Sequence, residues 1–355
     1  MDSIIALIKP HVRKQVPDSR KGRKSWPKDA IRSRLIKACK DFVDRGLADP
    51  KFLTEITSGE KNKFWACMSE ALVADLLNEK KFGQRKKFGA GPDFLVMDGD
   101  QRVWIEVVCP DPNGIPEAWL AMDYSRLPTR NAPPIEPMRE EILLRWTNAI
   151  KTKADRLIGN PAKNKKGYLQ TGDVDPEDAY VIAVNSCQLR NGDAPDISGI
   201  SGHPCAVESV FSVGPRQLTF NLKTSKTIHR GHQFRPFAIN KNNAMVPTDV
   251  FQDPRYSAVS AIWAMDLKGS DAIRTHEPIA IIHNPNASNP IRRGFLDADV
   301  EYEASEEDGS FICRPIVMKR PIRTKPLKKR RGKSLVSLTT KVPRKYRKRS
   351  QHWRF

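Results

Sequence analysis

The stretch GPDFLVMDGDQRVWIEVVC, residues 91–109, decides the fold of this 355-residue chain. The dipeptide Asp98-Gly99 favours a tight turn, and apolar runs flank it on both sides. We therefore predict two strands within residues 94–108, joined as a hairpin. Because side chains alternate along a strand, Glu106 points to the same face as Trp104 and Val108, within an apolar run.

The segments on either side of the hairpin predict a sheet covered by helices. Helical patterns span about 61–79 before the hairpin and about 138–158 after a Pro-rich loop. The apolar run AYVIAVNSC, residues 179–187, is typical of a strand buried on both faces. Residues 200–318 are interpreted as mainly short strands and turns, including AVESVFSV at 206–213. The fold class expected is α/β, with a β-rich C-terminal elaboration.

Charge is distributed unevenly along the chain, whose net charge is +20. Residues 319–355 carry sixteen Lys or Arg and no acid, residues 1–40 carry a net +9, and residues 41–318 carry a net −5. Aromatic residues are interspersed in the basic tail: Tyr346, Trp353 and Phe355. Positive charge with aromatic residues is the pattern of nucleic-acid contact, and a solvated tail without a specific partner is the alternative. We expect nucleic acid as partner, DNA in preference to RNA, bound through the basic tails.

The composition divides the chain into four parts. We predict a basic flexible arm at 1–30, a core at 31–190, a β-rich extension packed on it at 191–318, and a disordered basic tail at 319–355. Three prolines are expected to interrupt any helix in the arm: Pro10, Pro17 and Pro27. No run is apolar and long enough for a membrane helix. The six scattered cysteines form no CxxC pair, which indicates reduced thiols in a cytoplasmic protein.

Two acids in the hairpin are the candidate metal ligands. Asp93 opens one strand and Glu106 lies in the next, so their carboxylates can share Mg²⁺ or Mn²⁺, with the carbonyl of Val107 as a further ligand. A Glu inside an apolar strand is costly unless it is paired or metal-bound. The alternative is that Asp93 caps a turn and Glu106 pairs with a buried Arg.

These residues resemble the PD-(D/E)XK nuclease superfamily. Pro92-Asp93 matches its PD and Glu106 matches its second acid. The resemblance implies an αβββαβ restriction-endonuclease-like core over residues 61–187 and a metal-dependent nuclease. Further stretches resemble an uncharacterised bacterial protein group with the same PD…WIE block: SVGPRQLTF (212–220), VSAIWAMD (259–266) and HNPNASNPIRRGF (283–295).

The superfamily places a Lys two residues after the second acid, where this chain has Val108. Some members supply that Lys from the following helix. At about 100° per residue, Lys153 falls in the apolar stripe around Trp146, whereas Lys151 points about 140° away, into solvent. We therefore predict that Lys153 lies beside the two acids. The alternative is a Lys that only packs its aliphatic stem.

Glu70, on the 61–79 helix, is a further candidate, because family members often carry an acid there that holds metal through water. The alternative is a buried Glu paired with an Arg. His229 and His232, the only close pair of histidines, are interpreted as part of a polar loop. No GxxxxGK[ST] and no GxSxG occurs, which disfavours a P-loop ATPase and an α/β-hydrolase.

Three functions are compatible with these features. The first is a metal-dependent nuclease with Asp93, Glu106, Lys153 and Glu70 as its catalytic residues. The second is a nuclease-derived nucleic-acid-binding protein that has lost catalysis. The third is a structural or adaptor protein whose basic tail contacts RNA. Each of these three proteins could act as a monomer or as a homodimer.

Overall fold

The fold is organised around one large β-sheet. A computed structural model describes residues 2–18, 26–83, 91–120, 139–161, 164–189, 195–240, 242–307 and 310–317. The helices in these ranges are α1 (Asp2–Gln15), α2 (Trp26–Asp44), α3 (Phe52–Ile56), α4 (Lys61–Leu76), α5 (Glu117–Leu120), α6 (Arg139–Ile158), α7 (Tyr168–Thr171) and α8 (Cys205–Phe211). The strands are β1 (Lys81–Phe82), β2 (Phe94–Asp98), β3 (Gln101–Val108), β4 (Ala179–Asn185), β5 (Val213–Asn221), β6 (Lys226–Phe234), β7 (Phe237–Ile239), β8 (Met245–Pro247), β9 (Ala261–Met265), β10 (Ile279–His283), β11 (Val300–Glu307) and β12 (Ser310–Val317).

Eight strands form the main sheet in the order β1-β2-β3-β4-β9-β10-β11-β12. Strands β1, β2 and β3 are antiparallel neighbours, whereas β3, β4 and β9 run parallel. The crossover from β3 to β4 contains α6. The chain is therefore a mixed α/β protein, which confirms the predicted class, and strands from the C-terminal part continue the same sheet.

Apolar side chains cover both faces of the sheet, and β3 contributes to each. Val103, Ile105 and Val107 join a core packed by α1 to α4, whereas Trp104 joins a core packed by α6 and α8. This alternation agrees with the predicted period of two. The predicted hairpin is also present, with Asp98 opposite Gln101, so its two loop residues are Gly99-Asp100 rather than Asp98-Gly99. Gly99 has φ +62°, a conformation that favours glycine.

The prediction of a flexible arm at residues 1–30 is wrong for the part that the structure describes. Helix α1 runs through Pro10, and Ile8 and Val12 are 1% and 0% exposed in the core. A proline inside a helix costs about 3 kcal/mol. Burying two aliphatic side chains contributes about 1.5–3 kcal/mol each, which offsets that cost.

The interpretation of AVESVFSV as a strand is also wrong, because residues 205–211 form α8. All seven residues of this helix are buried. A short apolar run is compatible with a buried strand and with a buried helix, so periodicity alone does not separate them. Pro204, directly before the helix, is typical of a helix N-terminus.

The described residues all belong to one compact unit, within residues 1–320. The predicted disordered tail at 319–355 lies outside the described residues. Among the described helices, none combines the length and the apolar character that crossing a bilayer requires.

The packing of α1 generates a stability prediction. Replacing Ile8, which is 1% exposed, by Ala should lower the free energy of unfolding by about 2–5 kcal/mol, because it leaves a cavity under the helix. The adjacent Leu7 is 46% exposed, so Leu7→Ala should change it by less than about 0.5 kcal/mol. Urea unfolding followed by circular dichroism measures both, and equal stability of the two variants would contradict a packed α1.

Candidate active site

Asp93 and Glu106 come together where β2 begins beside β3. Phe94 pairs with Ile105, and Asp93 directly precedes Phe94 in the chain. The backbone N–H of Val107 donates a hydrogen bond to Asp93 Oδ2 at 2.6 Å. This bond holds the Asp93 carboxylate against β3 next to Glu106, so the register of the hairpin places both acids at one end of the strand pair.

Glu106 is buried within the sheet and is the centre of an ion cluster. Its side chain is 1% exposed, and Lys153 Nζ lies 2.5 Å from Glu106 Oε1. Arg156 Nη1 lies 3.2 Å from the same oxygen, and the Tyr168 hydroxyl lies 3.5 Å from Oε2. Removing a carboxylate from water costs several kcal/mol, so these partners are what makes the burial of Glu106 tolerable.

Helix α6 places its two predicted lysines in different environments. Lys153 lies in the stripe that faces the sheet, and its side chain is only 17% exposed. The predicted solvent position of Lys151 is wrong, because its Nζ lies 2.9 Å from Asp155 Oδ1 and 2.7 Å from the Tyr256 hydroxyl. Tyr256 comes from a distant part of the chain, so no helical pattern could have shown that Lys151 has a partner there. The structure thus brings Lys153, and not Lys151, to Glu106.

Two further residues at the cluster were not predicted. Arg156 contacts Glu106, and its guanidinium carbon lies 5.1 Å from the centre of the Tyr168 ring. Because residues three apart share a helix face, the position of Arg156 after Lys153 was a usable signal in the sequence. Tyr168 lies on α7, beyond the end of α6, and only the tertiary structure brings it to Glu106.

Glu70, on α4, is half-buried and approaches the cluster from another helix. Its pKa is raised well above the ordinary value, first because burial disfavours the charged form and then because Asp93 is negative. Lys153 acts in the opposite direction on this pKa. The structure therefore places Glu70 within electrostatic range of the predicted site.

The hydroxyl of Tyr180, on β4, is buried beside the same cluster. No hydrogen-bond partner for it exists among the described residues. Burial raises the pKa of Tyr180, and the charge of Glu106 raises it further. A buried polar atom without a partner costs about 1–3 kcal/mol, and a bound solvent or substrate oxygen would offset that cost.

The donor set fits a hard divalent cation. Asp93 and Glu106 present carboxylate oxygens, which Mg²⁺ and Mn²⁺ prefer. In the described ranges, no group of three or more His, Cys, Asp or Glu is arranged to hold a metal ion. The role of the Val107 carbonyl as a ligand stays a prediction.

The alternative to a metal site is that Glu106 pairs with a buried Arg, and the contacts of Glu106 bear on it. Glu106 pairs with Lys153, whose side chain is 17% exposed, and with Arg156, whose side chain is 56% exposed, rather than with a buried Arg. The six cysteines are free thiols, as expected, four of them buried.

The two histidines of the predicted polar loop, His229 and His232, lie on strand β6. His232 pairs in register with Arg216 of β5, so the predicted loop is a strand.

Comparison with protein-family models, with curated proteins and with solved structures finds no match to this chain.

The ion cluster generates a prediction that does not depend on activity. A double-mutant cycle with Glu106→Gln and Lys153→Met should give a coupling of about 0.5–3 kcal/mol in the free energy of unfolding, because Lys153 Nζ and Glu106 Oε1 are in direct contact. The matched cycle with Glu106→Gln and Lys151→Met should be additive within about 0.5 kcal/mol. Urea unfolding of the six chains measures both cycles. Additivity in the Lys153 cycle would contradict the ion pair.

Proposed function

We propose that this protein is a metal-dependent nuclease that hydrolyses phosphodiester bonds of nucleic acid. One observation carries the proposal. Lys153 Nζ lies 2.5 Å from Glu106 Oε1, while the N–H of Val107 holds Asp93 beside the same strand end. Two acids and a lysine thus lie close together, which supports the class that the resemblance to PD-(D/E)XK nucleases implies.

The order of elements supports the same class. Helix α4, the antiparallel strands β1 to β3, the crossover helix α6 and the parallel strand β4 follow one another in the αβββαβ order of that superfamily. Asp93 directly precedes the second strand, and Glu106 lies in the third. Since a fold by itself does not imply a function, the proposal depends on the side chains at this site rather than on the topology.

Lys153 can replace the lysine that is missing at position 108. Val108 follows Glu106 by two residues, and α6 covers the face of the sheet to which Glu106 points. The ammonium of Lys153 therefore reaches the carboxylate from the helix instead of from the strand. A positive group at this place would orient the attacking water and offset the negative charge that develops on the phosphate.

Asp93 and Glu106 would hold Mg²⁺ or Mn²⁺, with Glu70 beyond them. A bound divalent cation lowers the pKa of its water and offsets charge on a phosphoryl transition state. The chain's own groups have separate tasks. Arg156 and Tyr168 hold the Glu106 carboxylate in place, and the buried Tyr180 hydroxyl offers a hydrogen bond to an oxygen at the site.

A second candidate is a nucleic-acid-binding protein with the same fold and no catalysis. The pairing of Glu106 with both Lys153 and Arg156 favours it, because two cations already neutralise this carboxylate. In that case the cluster would be structural, and nucleic acid would still bind through the positively charged parts of the chain.

The cleavage assay separates the two candidates. The full chain is incubated with plasmid DNA and with RNA, in Mg²⁺, in Mn²⁺ and in EDTA. Cleavage should require the metal, Asp93→Asn and Glu106→Gln should abolish it, and Lys153→Met should lower its rate by about 10²-fold or more. Lys151→Met, which changes a neighbouring lysine outside the cluster, should cleave as the unaltered chain does.

The variants are checked by circular dichroism so that loss of fold is not mistaken for loss of chemistry. Binding without cleavage in either metal would favour the second candidate. Normal cleavage by Asp93→Asn or Glu106→Gln would show that the site is assigned wrongly.

The basic tail generates a separate prediction. Deleting residues 319–355 removes sixteen positive charges, so affinity for DNA should fall and the slope of log affinity against log salt should become shallower. Fluorescence anisotropy with a labelled duplex from about 50 to 300 mM salt measures both quantities. An unchanged affinity and slope would show that the tail does not contact nucleic acid.

A further inference from the structure

The hairpin of β5 and β6 is exposed on both faces. Between Arg216 and Ile228, every residue except Asn221 is exposed. Eight of the ten exposed large apolar side chains in the described part of the chain lie between residues 218 and 245, and Leu222 at the turn is 95% exposed. Scattered exposed apolar residues are normal, whereas a cluster of them marks an interaction site. We call residues 213–234 the ribbon.

The ribbon lies in a stretch that is free of acids. Residues 209–248 contain six Lys or Arg and no Asp or Glu, although residues 41–318 as a whole carry a net −5. Lys223 and Lys226 flank the turn and are exposed. Apolar surface combined with charge of one sign fits a polyanion with flat apolar groups, and nucleic acid is such a partner.

The base of the ribbon is fixed to the body of the protein. The N–H of Arg235 donates to the Ser212 carbonyl at 2.7 Å, and the N–H of Ser212 donates to the Thr248 carbonyl at 2.8 Å. At Gly214, a Cβ would lie 2.8 Å from the Gln233 carbonyl oxygen, so glycine permits the close approach of the two strands. An isolated two-stranded hairpin is only marginally stable, and these contacts supply the support that it otherwise lacks.

The base also connects the ribbon to the helix of the candidate active site. Arg235 forms an ion pair with Glu140, which lies in the first turn of α6. Lys153 follows Glu140 by thirteen residues on this helix, which is about 20 Å at 1.5 Å per residue. At 3.4 Å per base pair, that distance corresponds to about six base pairs of a duplex.

We propose that the ribbon is a duplex-DNA-binding element that enters a groove beside the scissile position. The six exposed or half-exposed residues Arg216–Asn221 on β5 extend about 20 Å, which exceeds the depth of the major groove. That groove admits a two-stranded β-ribbon in B-DNA, whereas the major groove of A-form RNA is too narrow for side chains. This inference deepens the proposed function and rests on it for the position of the ribbon relative to cleavage.

Two other partners fit the ribbon less well. A second copy would bring together two ribbons that are both basic, and like charges repel. A lipid surface with negative headgroups would attract the lysines, but it would not use a ribbon exposed on both faces, since one face alone would enter the membrane.

The first test measures binding in EDTA, where cleavage plays no part. The full chain and its Lys223→Ala/Lys226→Ala variant are titrated against a labelled DNA duplex at 150 mM salt. The variant should bind about tenfold or more weakly, with a salt slope shallower by about two. Lys51→Ala/Lys61→Ala is the matched control, because it removes two exposed lysines, one directly before α3 and one at the start of α4, on the other face of the sheet, and it should bind as the unaltered chain does.

The second test locates the contact directly, independently of the basic tail. Leu222→p-benzoylphenylalanine should form a covalent adduct with duplex DNA on irradiation, and it should form little with duplex RNA. The same substitution at Thr54, which is exposed on α3, should not crosslink to DNA.

The outcomes separate this inference from the proposed function. Ribbon-dependent binding without any metal-dependent cleavage would uphold the ribbon and refute the nuclease. A different result would refute the ribbon and uphold the nuclease. In that case the unaltered chain cleaves nucleic acid, the lysine variant binds DNA with unchanged affinity, and no crosslink forms at position 222. Two further results would overturn the inference if the DNA affinity of the Lys223→Ala/Lys226→Ala variant is unchanged. One is that this variant loses a dimer that the unaltered chain forms in size-exclusion chromatography. The other is that it loses binding to anionic phosphatidylserine vesicles.

Discussion

The buried carboxylate of Glu106 is the constraint on which the rest of the structure depends. It lies 1% exposed in the third strand of an eight-stranded sheet, where an unpaired charge would cost several kcal/mol. Lys153 and Arg156 remove that cost, and both lie on α6, three residues apart. The helix must therefore cross the sheet with one particular face directed at β3. The position of α6, and of everything attached to it, follows from this requirement.

Helix α6 links two regions that differ in chemistry. Its second half contributes cations to a cluster of acids, and its first turn holds the base of the ribbon through Glu140 and Arg235. Polar groups that would be costly in a core are thereby concentrated near one end of β3. Exposed positive charge also lies on the ribbon, at Lys223 and Lys226.

Local pattern predicted the central elements because each has a strong period of its own. The hairpin at 94–108, the helices near 61–76 and 139–158 and the buried strand at 179–185 agree with the prediction to within a few residues. The position of Lys153 followed from the same rule, since helical geometry alone aims it at the sheet. Pattern failed for residues 2–15 and 205–211, where tertiary burial overrode a proline in one case and decided between helix and strand in the other. The contact of Lys151 with Tyr256 likewise depended on a partner far away in the chain.

The sequence by itself determined the α/β class, the two acids of the hairpin and the helix face that carries Lys153, because these depend on periods of two and 3.6 residues that are local to each segment. Only the tertiary structure decided which groups surround Glu106, that Tyr180 is buried beside it without a described partner, and that the ribbon is exposed on both faces. These properties depend on distances between segments separated by tens of residues. Burial and electrostatic interaction act through space, so no pattern within a single segment records them.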